Sequence, residues 1–266
     1  MPKLSTMPDG NVKKNTMNVP DTSEKDRFQQ KVNEFCIAMN QYENNPFYSN
    51  LELVVATLVV SLQMITLVNL FQTYDGTSYP GILATLVLAY IATDFINGFI
   101  HMYMDNNTHY NSIVGPYISS FHLHHQKLKS RYKNSLAVYF FESRTKFWLL
   151  VYLILLTVLQ KLVPVNYNLN VGLVAVGIFS SLAELSHYWC HNATKRNTIL
   201  KRLQRWGILL SPKHHAHHHR SDNTHYAFLN GVSDPLLNLI SNYFYQGYKN
   251  KADKHTTAYL KLIQKR

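Results

Sequence analysis

Fourteen histidines stand in this chain of 266 residues, and six of them crowd into Ser211 to Tyr226, SPKHHAHHHRSDNTHY: His214, His215, His217, His218, His219 and His225. Imidazole at that density can bind metal or coat a solvated basic loop, and the stretch alone does not choose. Histidines elsewhere decide, if they repeat ligand spacing. His187-Tyr-Trp-Cys-His191 is an i, i+4 pair, which a helix sets one turn apart on one side, the arrangement by which two imidazoles share an ion. His101-Met-Tyr-Met-Asp105 repeats the spacing with a carboxylate as its second member, either a ligand or a group that orients a ligand imidazole. His124-His125 and His218-His219 are adjacent pairs whose side chains diverge, which suits two neighbouring ions better than one, and His215 adds a residue one turn before His219.

The candidate ligands are therefore His101, His124, His125, His187, His191, His215, His218 and His219. They exceed what one tetrahedral ion needs, so two metals are the economical reading. Asp105, His214 and Asp94 are further candidates, as ligands or as groups that orient ligands, although Asp94 and Asn97 can instead pair inside a helix bundle. His122, His217 and His225 read as neighbours of the site, and His109 and His255 as solvated surface residues. Two cysteines, Cys36 and Cys190, are too few and too far apart for a thiolate site or a disulfide framework. Imidazole suits zinc, copper, iron and nickel alike; zinc would favour hydrolysis and iron oxygen activation.

Such a site needs elements that bring its parts together, and the apolar runs supply them. Charged residues are 15% of the chain, against roughly 25% in soluble proteins, and the mean hydropathy of -0.16 averages a polar start and a basic second half with long apolar runs. Residues 1–50 read as a polar, disordered tail with a short interfacial helix near Phe28 to Met39, and no apolar stretch follows the early lysines as a cleaved leader requires. Leu51–Gln72, Gly81–Met104, Phe147–Val163 and Val171–Cys190 are each of a length to cross hydrocarbon as a helix, within a membrane domain spanning 51–266. The two turns between paired runs, Thr73–Pro80 and Pro164–Asn170, carry no Lys or Arg, whereas 105–146 and the region after 191 are rich in both. Positive charge stays on the cytoplasmic side, so both termini and every histidine group fall at one cytoplasmic face, a convergence reached without using the histidines. The formal charge of +11 fits anionic lipid headgroups better than nucleic acid.

Four stretches then resemble a known family: Thr93-Asp-Phe-Ile-Asn-Gly-Phe-Ile-His101-Met-Tyr-Met-Asp105, Phe121-His-Leu-His-His125, His187-Tyr-Trp-Cys-His191, and Leu203 through His219. In this order, over about residues 80 to 240, they look like the lipid desaturases that include the animal Kua-type plasmanylethanolamine desaturases and the plastid desaturase of phosphatidylglycerol palmitoyl chains. The resemblance implies a membrane-embedded site for two ferrous ions, with the eight histidines named above at the family's metal-binding positions and oxygen as co-substrate. Hydrogens would leave adjacent carbons of a lipid-attached chain, with electrons from a cytochrome b5-type or ferredoxin-type donor. Animal plasmanyl-type members carry histidine where this chain has Gly207, and His215-Ala-His-His-His219 also looks more like the plant type, which favours an acyl chain of a glycerophospholipid as substrate.

The expectation is thus an all-α integral membrane protein with about four transmembrane helices and a cytoplasmic histidine-rich di-metal cap, acting as an oxygen-dependent lipid desaturase. Formation of a vinyl ether from a plasmanyl lipid, or hydroxylation on the same scaffold, are the near alternatives. A histidine-rich membrane metal carrier or sensor is the alternative from another class; it predicts a polar path through the spans.

Overall fold

The computed structural model describes residues 22–126, 134–142, 146–192 and 197–265. The first 21 residues and the basic positions 127, 129, 131, 133 and 144 lie outside the described residues. All regular structure among the described residues is helical.

Three helices are long and apolar enough to cross a membrane: α2 (Pro46–Gln72), α3 (Tyr79–Asn106) and α7 (Tyr167–His191). Their starts are written locally. Asn45 caps α2 by accepting from the Phe47 amide at 3.0 Å, with Pro46 in the first turn, and Asn166 caps α7. An N-cap oxygen meets a donor the helix cannot, and proline there gives up nothing because its missing N–H would have no partner. The expected third span is shorter than a span should be. Helix α6 (Phe147–Leu162) has 16 residues, about 24 Å of rise against a hydrocarbon core of about 30 Å. It still returns the chain from the end of α3 to the start of α7, packing Leu149 and Leu153 against Val55 and Val59 of α2.

Polar side chains tie the apolar helices together. Gln63 of α2 donates to the Gly177 carbonyl (2.8 Å) and to Ser181 Oγ (3.0 Å) of α7, and Asn97 of α3 donates to Ser180 Oγ at 3.1 Å. Gln160 of α6 donates to Asn170 Oδ1 at 2.8 Å and the Thr66 carbonyl at 3.2 Å. Such bonds fix register where lipid offers no alternative partner. Helices α3 and α7 run in the same direction and pack along their length through Ala89, Ala175 and Val176, so their last turns emerge side by side.

The remaining described segments gather around those ends and alongside the turns before them. Helix α4 (Gly115–His122) runs into a 3-10 turn, Leu123–His125; α5 (Ser135–Phe141), α8 (Thr198–Arg205), α9 (Pro212–Arg220), α10 (Asp234–Phe244) and α11 (Ala252–Gln264) follow. The N-terminal helix α1 (Thr22–Asn44) is longer than the interfacial helix expected at Phe28 to Met39. Its apolar face is buried, with Phe35, Ala38 and Met39 in one cluster with Tyr110, Ile118 and Tyr259, because the same residues that suggested a membrane-facing stripe find a protein partner. Lys146, counted with the basic segment from sequence, is also buried, its Nζ donating to the Tyr139 carbonyl at 2.6 Å.

At Gly98, α3 approaches the C-terminal part closely. A Cβ there would stand 2.4 Å from Leu237 Cδ1 and 3.1 Å from Ala227 Cα. Leu237 can rotate away, but the Ala227 backbone cannot. Gly98→Val is expected to cost about 1–3 kcal/mol, measured as a lower unfolding temperature in detergent.

Candidate metal centre

The last turn of α3 presents His101 and Asp105, and the last turn of α7 presents His187 and His191. Helix α9 supplies three more. Ser211 caps it by accepting from the His214 amide and Pro212 starts it, and the i, i+3, i+4 spacing then turns His215, His218 and His219 inward while Lys213, Ala216, His217 and Arg220 face out. His124 and His125 come from the 3-10 turn after α4. Gly115 lets that helix start where it does, since a Cβ would fall 1.9 Å from the Tyr110 carbonyl oxygen.

These side chains form two sets whose ligand atoms all lie within 4.8 Å of one another: His101, Asp105, His124, His125 and His218; and His124, His187, His215 and His219. His124 belongs to both. His191 stands beside the second set, with its Nε2 at 3.1 Å from that of His187 and 2.8 Å from that of His215. The other nitrogen contacts are His215 to His219 at 2.9 Å and His218 to His125 at 3.3 Å. Asp105 Oδ2 is 3.0 Å from His101 Nε2 and 3.3 Å from His218 Nε2, and Oδ1 is 3.2 Å from His125 Nε2.

The outer nitrogens explain the inner ones. His101 Nδ1 donates to the Tyr226 carbonyl (2.8 Å), His124 Nδ1 to that of Phe121 (2.6 Å) and His218 Nδ1 to that of Thr224 (2.9 Å). A carbonyl can only accept, so in each neutral imidazole the proton sits on Nδ1 and the Nε2 lone pair faces the centre. His125 Nδ1 donates in the same way to Asp253 Oδ1 at 2.6 Å. Phe228 lies against both His101 and His187, its ring stacked on the latter at 4.2 Å, and closes the centre on one side.

Electrostatics fits the same picture. Burial pushes His218 down to about 4, with His101 adding to the shift and Asp105 opposing it. His124, His215 and His219 are pushed down as well, first by burial and then by neighbouring imidazoles. Neutral imidazole is the form that binds metal. Burial alone would lower His125 too, but Asp105 and Asp253 on its two sides carry it up to about 9. The buried His101 Nε2, His124 Nε2 and both Asp105 oxygens have no hydrogen-bond partner among the described residues. Buried polar atoms left so are costly; lone pairs and a carboxylate converging in a dry space call for a cation, and the donor set of nitrogens with one carboxylate fits a transition metal.

A scan against protein families matches the lipid desaturase domain over residues 90–247, more than half of the chain. The chain belongs to the lipid desaturase domain family. Every histidine of the two sets and Asp105 fall inside the matched stretch of this desaturase domain. No curated protein and no solved structure gives a match.

Other residues land away from the centre. Asp94 spends its carboxylate on a loop: Oδ1 accepts from the amides of Leu229 (3.0 Å), Asn230 (2.9 Å) and Gly231 (3.3 Å), and Oδ2 from the amide and hydroxyl of Ser233. It belongs to neither set, and Asn97 bonds elsewhere. His214 also stays outside, with Nε2 donating to Asp234 Oδ2 at 2.5 Å. His255 is buried, not solvated: its Nδ1 is 3.1 Å from Tyr110 Oη, whose other neighbour is His122 Nδ1 at 3.1 Å. A helical residue outside any apolar run gave no sign of that pocket. The same holds for Asp253 on α11, which sequence reasoning missed because a single carboxylate in a basic, polar helix carries no spacing signal.

Asp253→Ala removes the group that fixes the His125 tautomer. It is expected to weaken divalent-metal binding about 10–100-fold, read by competition with a chromophoric chelator, with the protein still in the membrane fraction.

Proposed function

We propose that this desaturase domain is an oxygen-dependent, di-iron lipid desaturase that introduces a double bond into a lipid-linked chain, an acyl chain of a glycerophospholipid. The observation that carries the proposal is the pair of ligand-atom sets sharing His124 at the ends of membrane-length helices, within a family named for lipid desaturation. Two iron ions would be held by His101, His124, His125, His187, His191, His215, His218 and His219, with Asp105 as a further donor. Bound iron supplies the oxygen chemistry that an unactivated C–H bond requires.

The protein's own residues supply position. Backbone carbonyls of Phe121, Thr224 and Tyr226 hold three imidazoles with Nε2 inward, and Asp253 holds a fourth. The apolar shell of Phe121, Ala183, Leu209, Phe228 and Leu229 keeps bulk water from the centre. Two hydrogens would leave adjacent carbons while oxygen is reduced to water, the remaining electrons coming from a donor of the cytochrome b5 or ferredoxin class. Neither the exposed turn 73–78 nor the 163–166 turn carries Lys or Arg, whereas Lys201, Arg202, Lys213, Arg220 and Lys249 gather on the histidine side. That asymmetry supports a cytoplasmic centre with both termini on the same side.

Metal analysis of the purified protein is expected to give two irons per chain; zinc alone, or one ion, would refute the di-iron assignment. His187→Ala and His218→Ala are expected to lose bound iron and desaturation together while remaining membrane-inserted, and full activity in either would sink the ligand set. Mass spectrometry of lipids from expressing cells should show chains lighter by two hydrogens; chains heavier by one oxygen atom would make the enzyme a hydroxylase.

A further inference from the structure

The irregular segments on either side of α9 do not stay at the membrane surface. An exposed polar turn, residues 73–78, precedes α3 and marks one edge of the bilayer. From Tyr79 a hydrocarbon core of about 30 Å takes up about 20 residues of helix, which puts Tyr90 and Asp94 inside it and His101 just past the far edge. Both inner residues bind non-helical backbone. Tyr90 donates its hydroxyl to the Ile208 carbonyl, and Asp94 gathers the amides of Leu229, Asn230, Gly231 and Ser233.

Irregular backbone is tolerated at that depth only where its polar groups are satisfied by protein, and here they are. The Leu210 amide donates to the Leu229 carbonyl (2.7 Å) and lies 3.2 Å from Ser186 Oγ of α7. Gln204 donates to the Leu210 carbonyl and Ser186 Oγ to that of Leu229. A fully buried carboxylate that accepts five hydrogen bonds from one loop has no need of a metal; it replaces the water that the loop has left.

The outer surface of the same segments is apolar. Trp206, Ile208 and Val232 are exposed, and so are Leu236, Leu239 and Tyr243, spaced along one side of α10. The opposite side, Asp234, Leu237 and Ser241, is buried, with Leu237 against Gly98 of α3. The helix on which α10 packs through Leu237, α3, likewise leaves Leu88, Ile91 and Phe99 exposed. Lys201, Arg202 and Arg205 of α8, exposed immediately before this segment, carry the charge that anionic lipid headgroups attract.

We propose that residues 206–210 and 228–244 form a re-entrant wedge inserted into the leaflet on the histidine side, its outer face in contact with acyl chains. The inference rests on α2, α3 and α7 crossing a bilayer, and not on lipid chemistry at the histidine centre. Phe228 makes the base of the wedge a wall of that centre, so lipid hydrocarbon comes within one residue layer of the histidines without leaving the membrane.

Val232→Trp and Leu239→Trp in the full chain, reconstituted in phosphatidylcholine vesicles, test the proposal through their added fluorescence over the unsubstituted protein. Leu58→Trp on the exposed side of α2 and Lys254→Trp on α11 are the membrane and water references. The wedge predicts strong quenching by dibrominated acyl chains, as for Leu58→Trp, and severalfold weaker quenching by iodide than for Lys254→Trp. Iodide quenching equal to that of Lys254→Trp would overturn it. Protection from both quenchers would also overturn it, since another protein surface, a second copy included, would then cover the face. Were Leu58→Trp itself open to iodide, the spanning reading would fail and the wedge with it.

Discussion

Asp105 is fully buried, and it faces three imidazole nitrogens across 3.0 to 3.3 Å. Two of the three, on His101 and His218, have no proton to offer in the neutral ring, because each has committed it to a backbone carbonyl. A carboxylate turned towards lone pairs in a dry space is unfavourable in itself. Positive charge between them reverses the sign of every one of these contacts. Without a metal ion, a proton on His125 is the nearest available cation, and the carboxylates of Asp105 and Asp253 carry that residue upward. The surrounding structure is arranged to hold this unfavourable convergence in place.

Holding it takes forces outside the centre. Helices α3 and α7 deliver their last turns together because they are parallel, packed through small residues and cross-linked by Asn97 and Ser180. Helix α9 is tied by His214 to Asp234 of α10, and the ring of His214 fills the space beside Gly231, whose φ of +93° suits glycine. Asp94 closes the loop from which the Tyr226 carbonyl reaches His101. Each tie lies one step away from the imidazoles, so the Nε2 atoms are left in a set that could hold a metal.

The sequence shows the spacing of this site more clearly than its support. His187 with His191, His101 with Asp105, and the 215, 218, 219 triplet are read correctly as helical faces, since a helix converts spacing into direction. The basic segments and apolar runs likewise place the histidine groups near one another before any contact is known. Span count is less legible: Phe147–Leu162 has the composition of a span in only 16 residues, and what it packs on is a tertiary fact. Asp94 is the instructive case. An ionisable residue in an apolar helix reads as functional, yet its five partners are backbone amides and a hydroxyl more than a hundred residues later, which no local pattern can announce.

The family match ends at residue 247, but the centre does not. Asp253, which orients His125, is carried by α11, and α11 is held through Tyr259 against Phe35 of α1. Tyr110 joins the two parts a second time, bridging His122 next to the 3-10 turn and His255 on α11. His124 and His125 are therefore positioned from two directions, by α4 from within the matched stretch and by α1 with α11 from outside it. A turn of three residues has too few hydrogen bonds of its own to fix two diverging imidazoles. The flanking helices supply the missing constraint, and so count as part of the candidate metal centre's support although neither contributes to the two ligand-atom sets.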